Sequence, residues 1–441
     1  MEKKKILFAS MPFDGHFNPL TGIAMYLKEK GHDVRWYTSE TFAEKLKKLD
    51  IPFFPYKKAQ EVHSENLHQV YPEVATLKGL KLLKFSFEKL FLQNIENHFL
   101  DVKEIYDKHF SFDLFFCDSA LYALQMIKEV IGKPVYVIHP GPLLDISKDT
   151  PPNFIGQTPA RTWLGKKMHQ LMRIVMDKMI LSDGSKLYEK MRESHGLPPY
   201  NGSFWNISTH GSSLLFQSGV PEFEYYRSDL SPKIKFVGPL LPFKNAVNHP
   251  FRYPEKLNHY EKVILISQGT VDNKDQNKLI IPALEANKDK NFLLIVTTGG
   301  INTHTLRQHY QEENIIIEDY IDFDFVLPFC DLYITNGGYG GVMLSLSHGV
   351  PILTSGIKEG KNDVNAHIRY FNVGMDLQTE NPKAAKIRAA TENILTNSEI
   401  KQNVGNLQKI LNSYSPNELI DEYIFGKAKA GSEPEEVHAL N

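Results

Sequence analysis

The sequence predicts an α/β protein made of two doubly wound halves, each a parallel sheet covered by helices on both faces. Three observations predict it. Short apolar, β-branched runs alternate with stretches of helical periodicity from the first residues onward. The alternation lapses in a proline-rich stretch around residues 238–254 and then begins again. A chain of 441 residues is also longer than one ordinary core encloses.

In chain order, Ile6–Ser10 reads as the first strand, Pro12–Pro19 as a loop, and Leu20–Lys30 as a helix closed by Gly31. Asp33–Thr38 and the proline-containing Ile51–Tyr56 are the next strands. Glu73–His109 is helical in pattern, with Leu80, Leu83, Phe87, Leu90 and Phe91 on one side. Phe112–Asp118 is a strand, Tyr122–Val130 a helix and Pro134–His139 a strand. From Asp145 to Phe204 the chain is less regular, and a Met-rich helical piece, Trp163–Met191, is expected to serve as adaptable core or pocket lining. Ser213–Gln217 and Lys235–Val237 complete this half. The second half holds strands at Val263–Ser267, Phe292–Val296, Asn314–Ile317, Leu332–Ile334 and Pro351–Thr354, then helices over Lys383–Tyr414 and Glu418–Phe425. The implied division is a first domain over 1–238, a linker over 239–258, a second domain over 259–414, and a C-terminal helix with a mobile tail over 415–441.

Composition excludes several classes of function. The net charge of −2 gives no reason to expect nucleic acid or an anionic membrane as main partner. Two cysteines, Cys117 and Cys330, cannot make a disulfide framework and read as small buried fillers. No run approaches the ~18 apolar residues of a membrane span, and Ile6–Ser10 is too short for a signal sequence. The expectation is a cytoplasmic protein with no membrane partner, either a monomer or a weak dimer.

The most informative stretch is Cys330–Pro351, in which a strand meets Asn336-Gly337-Gly338-Tyr339-Gly340-Gly341 and then a helix. Glycines there let backbone N–H groups approach a ligand, and the helix start adds unpaired donors and the positive end of its dipole. Such a turn suits a diphosphate, although glycine needed only for close packing explains it equally well. After the first strand stands His16, behind Gly15, and Asp118 ends the fourth strand. Strand ends of an open parallel sheet gather at one edge, so a carboxylate there can orient an imidazole for proton abstraction. The plainer alternative is that each residue merely caps its own loop or helix.

Three motifs occur in order: Gly15-His16 with Pro19, Ser267-Gln268-Gly269-Thr270, and the glycine-rich turn running to His348-Gly349-Val350-Pro351. Together they resemble the nucleotide-sugar-dependent glycosyltransferases of family one, the branch with macrolide, flavonoid and other natural-product enzymes. The resemblance spans about Lys5 to Tyr414. It implies the GT-B fold, two Rossmann-like domains facing across a cleft, and inverting transfer of a sugar, UDP-glucose foremost, to a hydroxyl of a small lipophilic acceptor. It makes His16 the general base and Asp118 its orienting partner. It puts the acceptor among loops near Phe13, residues 60–95 and residues 145–200. It places Gly15, Ser267, Gly269, Thr270, Asn336, Gly338, Gly340 and Gly341 around the donor, with Tyr320 stacked on the base and the main chain of Ile321 paired with it. The nucleotide sugar is a co-substrate, so no cofactor and no metal are implied.

The chain departs from the family pattern at three places. Asn336 stands where most relatives carry histidine, which keeps a donor but loses a charge. Leu344 stands where a glutamate often binds the ribose, and leucine offers no polar atom. Lys361-Asn362, with Glu359 nearby, replaces the Asp-Gln pair that reads the sugar, so these three are the candidates for that contact. Asp322-Phe323-Asp324 matches a D-x-D metal motif but reads better as a helix N-cap with a first-turn carboxylate. His348 reads as structural, and His63, His68, His98 and His109 as surface or helix-face residues. Two other readings compete. One is a nucleotide-sugar 2-epimerase of the same architecture; the other is a nucleotide-sugar-binding homologue without catalysis.

Overall fold

The computed structural model describes residues 2–63, 66–244, 251–269, 273–358 and 360–426. Its strands are β1 (Lys5–Ala9), β2 (Asp33–Thr38), β3 (Phe53–Pro55), β4 (Leu114–Asp118), β5 (Val135–His139), β6 (Leu214–Gln217) and β7 (Ile234–Phe236) in the first half. The second half has β8 (Lys262–Ser267), β9 (Phe292–Thr297), β10 (Ile315–Glu318), β11 (Leu332–Thr335), β12 (Ile352–Thr354) and β13 (Gly374–Asp376). The sheet orders are β3-β2-β1-β4-β5-β6-β7 and β10-β9-β8-β11-β12-β13. Every pairing between named strands is parallel.

Alternation along the strands sorts the cores. In the first sheet, Leu7, Ala9, Phe115, Cys117, Val135 and Val137 face one core, while Ile6, Phe8, Trp36, Phe116, Tyr136 and Ile138 face the other. In the second, Ile264, Ile266, Leu294 and Ile334 point opposite to Val263, Leu265, Leu293 and Tyr333. Both faces are covered, which is why these strands read as continuous apolar runs. Each sheet reverses its order at one point, between β1 and β4 and between β8 and β11. A crevice opens at such a point, and the ends of those four strands carry the conspicuous motifs.

Several expectations need correction. The stretch after β1 is not a loop: a helix spans Asp14–Glu29, with Phe13 as extended N-cap and Asp14 in its first turn. Pro19 inside it lacks the N–H that would bond the Gly15 carbonyl, so the helix loses that one rung. The long pattern from Glu73 to His109 is broken into Pro72–Ala75, Gly79–Ser86 and Ile95–Glu104, joined by wide turns at Phe87–Leu92 and Ile105–His109. The wide turns show in Gln93 N–H bonding Glu88 O and Phe110 N–H bonding Ile105 O, five residues back. Of the surface and helix-face readings, His98 meets the second: it lies on the inner face of Ile95–Glu104, is 3% exposed and shares a hydrogen bond with Tyr37 Oη. The Met-rich piece is only partly core, since Met176 and Met191 are buried but Met168 and Met179 are exposed. Strand β13 went unread because three residues with one apolar side chain give no pattern.

The C-terminal helix Pro416–Phe425 returns to the first half, where Ile420 is buried in its core and Lys30 Nζ meets Asp421 at 2.6 Å. Val220 and Phe223, by contrast, pack into the second core before the linker is reached. The tail after Gly426, expected to be mobile, lies outside the described residues. No described helix is long and apolar enough to cross a membrane.

Candidate functional site

His16 is the third residue of the helix after β1, and the β1–β4 pairing brings that helix over the end of β4. Its Nδ1 lies 2.9 Å from Asp118 Oδ1. Asp118 is wholly buried and accepts further hydrogen bonds from Ala120 N–H at 2.8 Å and Met11 N–H at 2.6 Å. A carboxylate so held is fixed in place and offers nothing to solvent. The imidazole side chain is 29% exposed, with Nε2 on the side away from Asp118. Phe13 lies beside it, ring centroids 5.9 Å apart. At Gly15 a Cβ would meet nothing within 4 Å, so the helix start is open there.

An aromatic wall belongs to the same core as Phe13. The Phe87 ring lies 5.6 Å from Phe154 and 5.0 Å from Trp205, and Phe91 lies 6.0 Å from Tyr122. His139, ending β5, bonds Ser119 Oγ and the Pro142 carbonyl, and burial pushes its pKa down to about 4.

In the second half, β8 and β11 place Ser267 beside Thr335. Asn336, 6% exposed, donates its amide to the Gln268 carbonyl, while its Oδ1 has no hydrogen-bond partner among the described residues. Gly269 and Gly337 both have left-handed backbones, with φ of 86° and 92°. The Asn336 side chain fills the space over Gly269, and the buried Asn365 fills that over Gly337. Gly338 caps the helix Tyr339–Ser347, and Gly340 is exposed with nothing within 4 Å of a Cβ among the described residues. The start of this helix therefore presents unpaired N–H groups to an open side. Tyr339 Oη donates to the Ser218 carbonyl at 2.7 Å, fastening the turn to the segment after β6.

Tyr320, after β10, is 55% exposed, and its hydroxyl bonds the Gly299 carbonyl at 2.8 Å. The Ile321 side chain is turned into the core, which leaves only its main chain for a ligand. Thr270 and Glu359 lie outside the described residues. Lys361 begins the helix Lys361–Tyr370, and Asn362 donates its amide to the Phe154 carbonyl of the first half at 2.7 Å. Three neighbours were not singled out from sequence. They are Asn273, which bonds the Gly269 carbonyl, Asn365 beneath Gly337, and Asp363, which accepts the backbone N–H groups of Phe154 and Gly156. The sequence alone carries no signal for these three contacts.

Asp322 is an N-cap accepting from Asp324 N–H at 3.0 Å, and Asp324 pairs with His348 at 2.9 Å and Lys244 at 2.5 Å. That accounts for the D-x-D sequence by helix capping and ion pairing. No group of three or more metal-ligating side chains is found among the described residues. On the same helix as Asp363, His367 bonds Glu224, which also bonds Arg227, both within 3.1 Å. Burial works against its ionisation, but Arg227 and His367 outweigh it and hold the carboxyl well below its usual range.

No family model matches the chain. Among curated proteins, 4'-demethylrebeccamycin synthase of Lentzea aerocolonigenes is 28% identical over 92% of this chain and 94% of that protein. UDP-glycosyltransferase 2 of Phaeomoniella chlamydospora is 25% identical over 92% of each. Among solved structures, the calicheamicin glycosyltransferase CalG4 superposes with a TM-score of 0.73 at 18% identity, covering 97% of this chain and all of that one. The spinosyn rhamnosyltransferase SpnG, solved with thymidine diphosphate, gives 0.65 at 12% identity over 95% of this chain and 99% of that one. These relatives do not favour the epimerase reading. Similarity over nearly the whole length of these glycosyltransferases and a shared GT-B fold lead to one conclusion: this chain is a nucleotide-sugar-dependent glycosyltransferase, similar to natural-product enzymes.

Proposed function

We propose that the enzyme transfers a hexose, with inversion, from a UDP-sugar to a hydroxyl of a small lipophilic acceptor, with UDP-glucose the leading donor. The observation that carries this reading is the His16–Asp118 pair at 2.9 Å, on the first sheet's switch point. In the proposed step, His16 Nε2 takes the acceptor's hydroxyl proton as the oxygen attacks the anomeric carbon. The new C–O bond forms as the bond from that carbon to the diphosphate oxygen breaks. Asp118, held by two backbone N–H groups, steadies the imidazolium that results.

The departing diphosphate gains its charge beside the N–H groups at the start of Tyr339–Ser347, so that charge is met without a metal. Tyr320 offers an exposed ring for the base. The aromatic wall of Phe13, Phe87, Phe91 and Phe154 supports an apolar acceptor, and the UDP-glucosyltransferases of Beauveria bassiana and Starmerella bombicola among the relatives support the donor. Asn336 keeps the buried polar site closed by a neutral amide where a charged group would need desolvating.

The test pairs turnover with donor binding. In His16→Ala, glucosyl transfer to a panel of phenolic and macrolide acceptors should fall by about 10²–10⁴-fold, the usual contribution of a general base. UDP affinity by calorimetry should stay within about threefold, because the donor sits on the other half. Undiminished turnover would remove His16 from the chemistry.

A further inference from the structure

The helix Trp163–Met176 is attached by one side only. His169 and Met176 are buried, Arg173 bonds the Thr150 carbonyl, and Asp177, just beyond, accepts Trp205 Nε1 at 2.6 Å. The opposite side is apolar and bare. Leu164, Met168, Leu171, Val175 and Met179 recur at helical spacing and are 67%, 57%, 62%, 44% and 50% exposed. Trp163 at the helix start is 72% exposed. Isolated exposed apolar residues need no explanation, but a continuous stripe of them marks a contact surface.

Charge indicates what covers it. Residues 159–181 hold Arg161, Lys166, Lys167, Arg173 and Lys178 against a single acid, Asp177, in a chain whose net charge is −2. Arg161, Lys166, Lys167 and Lys178 are exposed and form no ion pair among the described residues. At 100° per residue Lys167 and Lys178 fall along one edge of the stripe. A second copy docked by the same face would set these cationic rows against each other, since a two-fold contact is self-complementary. An anionic lipid surface satisfies both features at once: acyl chains take the stripe, headgroup phosphates take the lysines, and Trp163 lies at the boundary.

We propose that this helix seats the enzyme on the surface of anionic lipid bilayers, lying in the interface without crossing it. The inference stands whether or not His16 is the base.

The experiment is co-sedimentation of the full chain with vesicles of phosphatidylcholine alone or mixed with phosphatidylglycerol, at low and high salt. The protein should pellet with the mixed vesicles at low salt and be released by high salt. Trp36 and Trp205 are buried, so the blue shift on binding should come from Trp163 and vanish in Trp163→Phe. Leu171→Glu should cut partition by about tenfold or more, and Lys167→Glu with Lys178→Glu should do the same on the mixed vesicles. Both changes are at exposed positions, and unchanged melting by circular dichroism checks that the fold is kept. Failure to pellet with the mixed vesicles, equal pelleting with neutral ones, or partition unmoved by Leu171→Glu would overturn the proposal. A dimer that Leu171→Glu dissociates, without vesicle binding, would assign the face to a second copy instead.

Discussion

Asp363 Oδ1 accepts the backbone N–H of Gly156 at 2.8 Å, a contact between positions 207 residues apart that joins the second half to the first. Its other oxygen takes Phe154 N–H, and Asn362 and Arg369 hold the carbonyls of Phe154 and Gly156. The helix Lys361–Tyr370 thus grips a loop of the half that carries His16. Burial raises the Asp363 pKa despite those N–H groups, so the grip is built on a carboxyl taken out of water.

Removing that carboxyl should loosen the loop without unfolding the protein. In Asp363→Ala, exchange of the Phe154 and Gly156 amides should quicken by about 10–100-fold, as expected for the loss of one or two buried charge-assisted hydrogen bonds. Amides in β1 and β4 should exchange at their original rates. Hydrogen exchange read by mass spectrometry checks both.

Asp118→Asn keeps the shape and removes the charge. An amide cannot accept from Met11 N–H, Ala120 N–H and His16 together without turning its NH₂ toward one of them. We expect kcat to fall by about 10²–10⁴-fold with UDP affinity retained, and melting to drop as a buried N–H is left unpaired. A kcat within a few-fold of the parent would show that the carboxylate is not needed to orient the ring.

The glycines of the turn after β11 should separate into structural and open positions. Gly337→Ala would place a Cβ 2.0 Å from Asn365 Oδ1 on a backbone at φ 92°, and should cost about 2–4 kcal/mol of stability. Gly340→Ala meets nothing within 4 Å among the described residues and should leave stability within about 0.5 kcal/mol. If that alanine weakens UDP binding, the open space at Gly340 is where the ligand approaches. Thermal melts and calorimetry on the pair of variants distinguish the two.

Acid should destabilise the first half through two buried histidines. Burial lowers the pKa of His98 and of His139 from 6.5 to about 4, although Asp101 and Asp118 near His98 pull it upward. Between those values the unfolded chain binds protons that the native chain refuses. Stability is therefore full above about pH 6.5 and declines toward pH 4, by on the order of 3 kcal/mol per histidine. Urea titrations across this range should show that slope. His98→Gln, which keeps a partner for Tyr37 Oη, should flatten it by about half.

Much of the architecture was legible in sequence because both sheets are buried on both faces. Runs such as Val263–Ser267 and Phe112–Asp118 leave no polar alternation and little choice but an interior strand. The His16–Asp118 pairing could be anticipated because parallel strands bring their ends to one edge. The helix around His16 could not, because Pro19 and Gly15 imitate a loop, and tertiary packing overrides their low propensity. His98 was legible only in part: helical spacing gives a face but not what covers it, and here Tyr37 does. The interdomain grip of Asp363 left no trace, since a lone carboxylate on a helix normally belongs to solvent.

The passage of Pro416–Phe425 back onto the first core means that the second half is inserted between two pieces of the first, the residues before the connector and this closing helix. It follows that the first half cannot be excised as a continuous piece: a fragment stopping at the connector would lack the helix that seals its own floor.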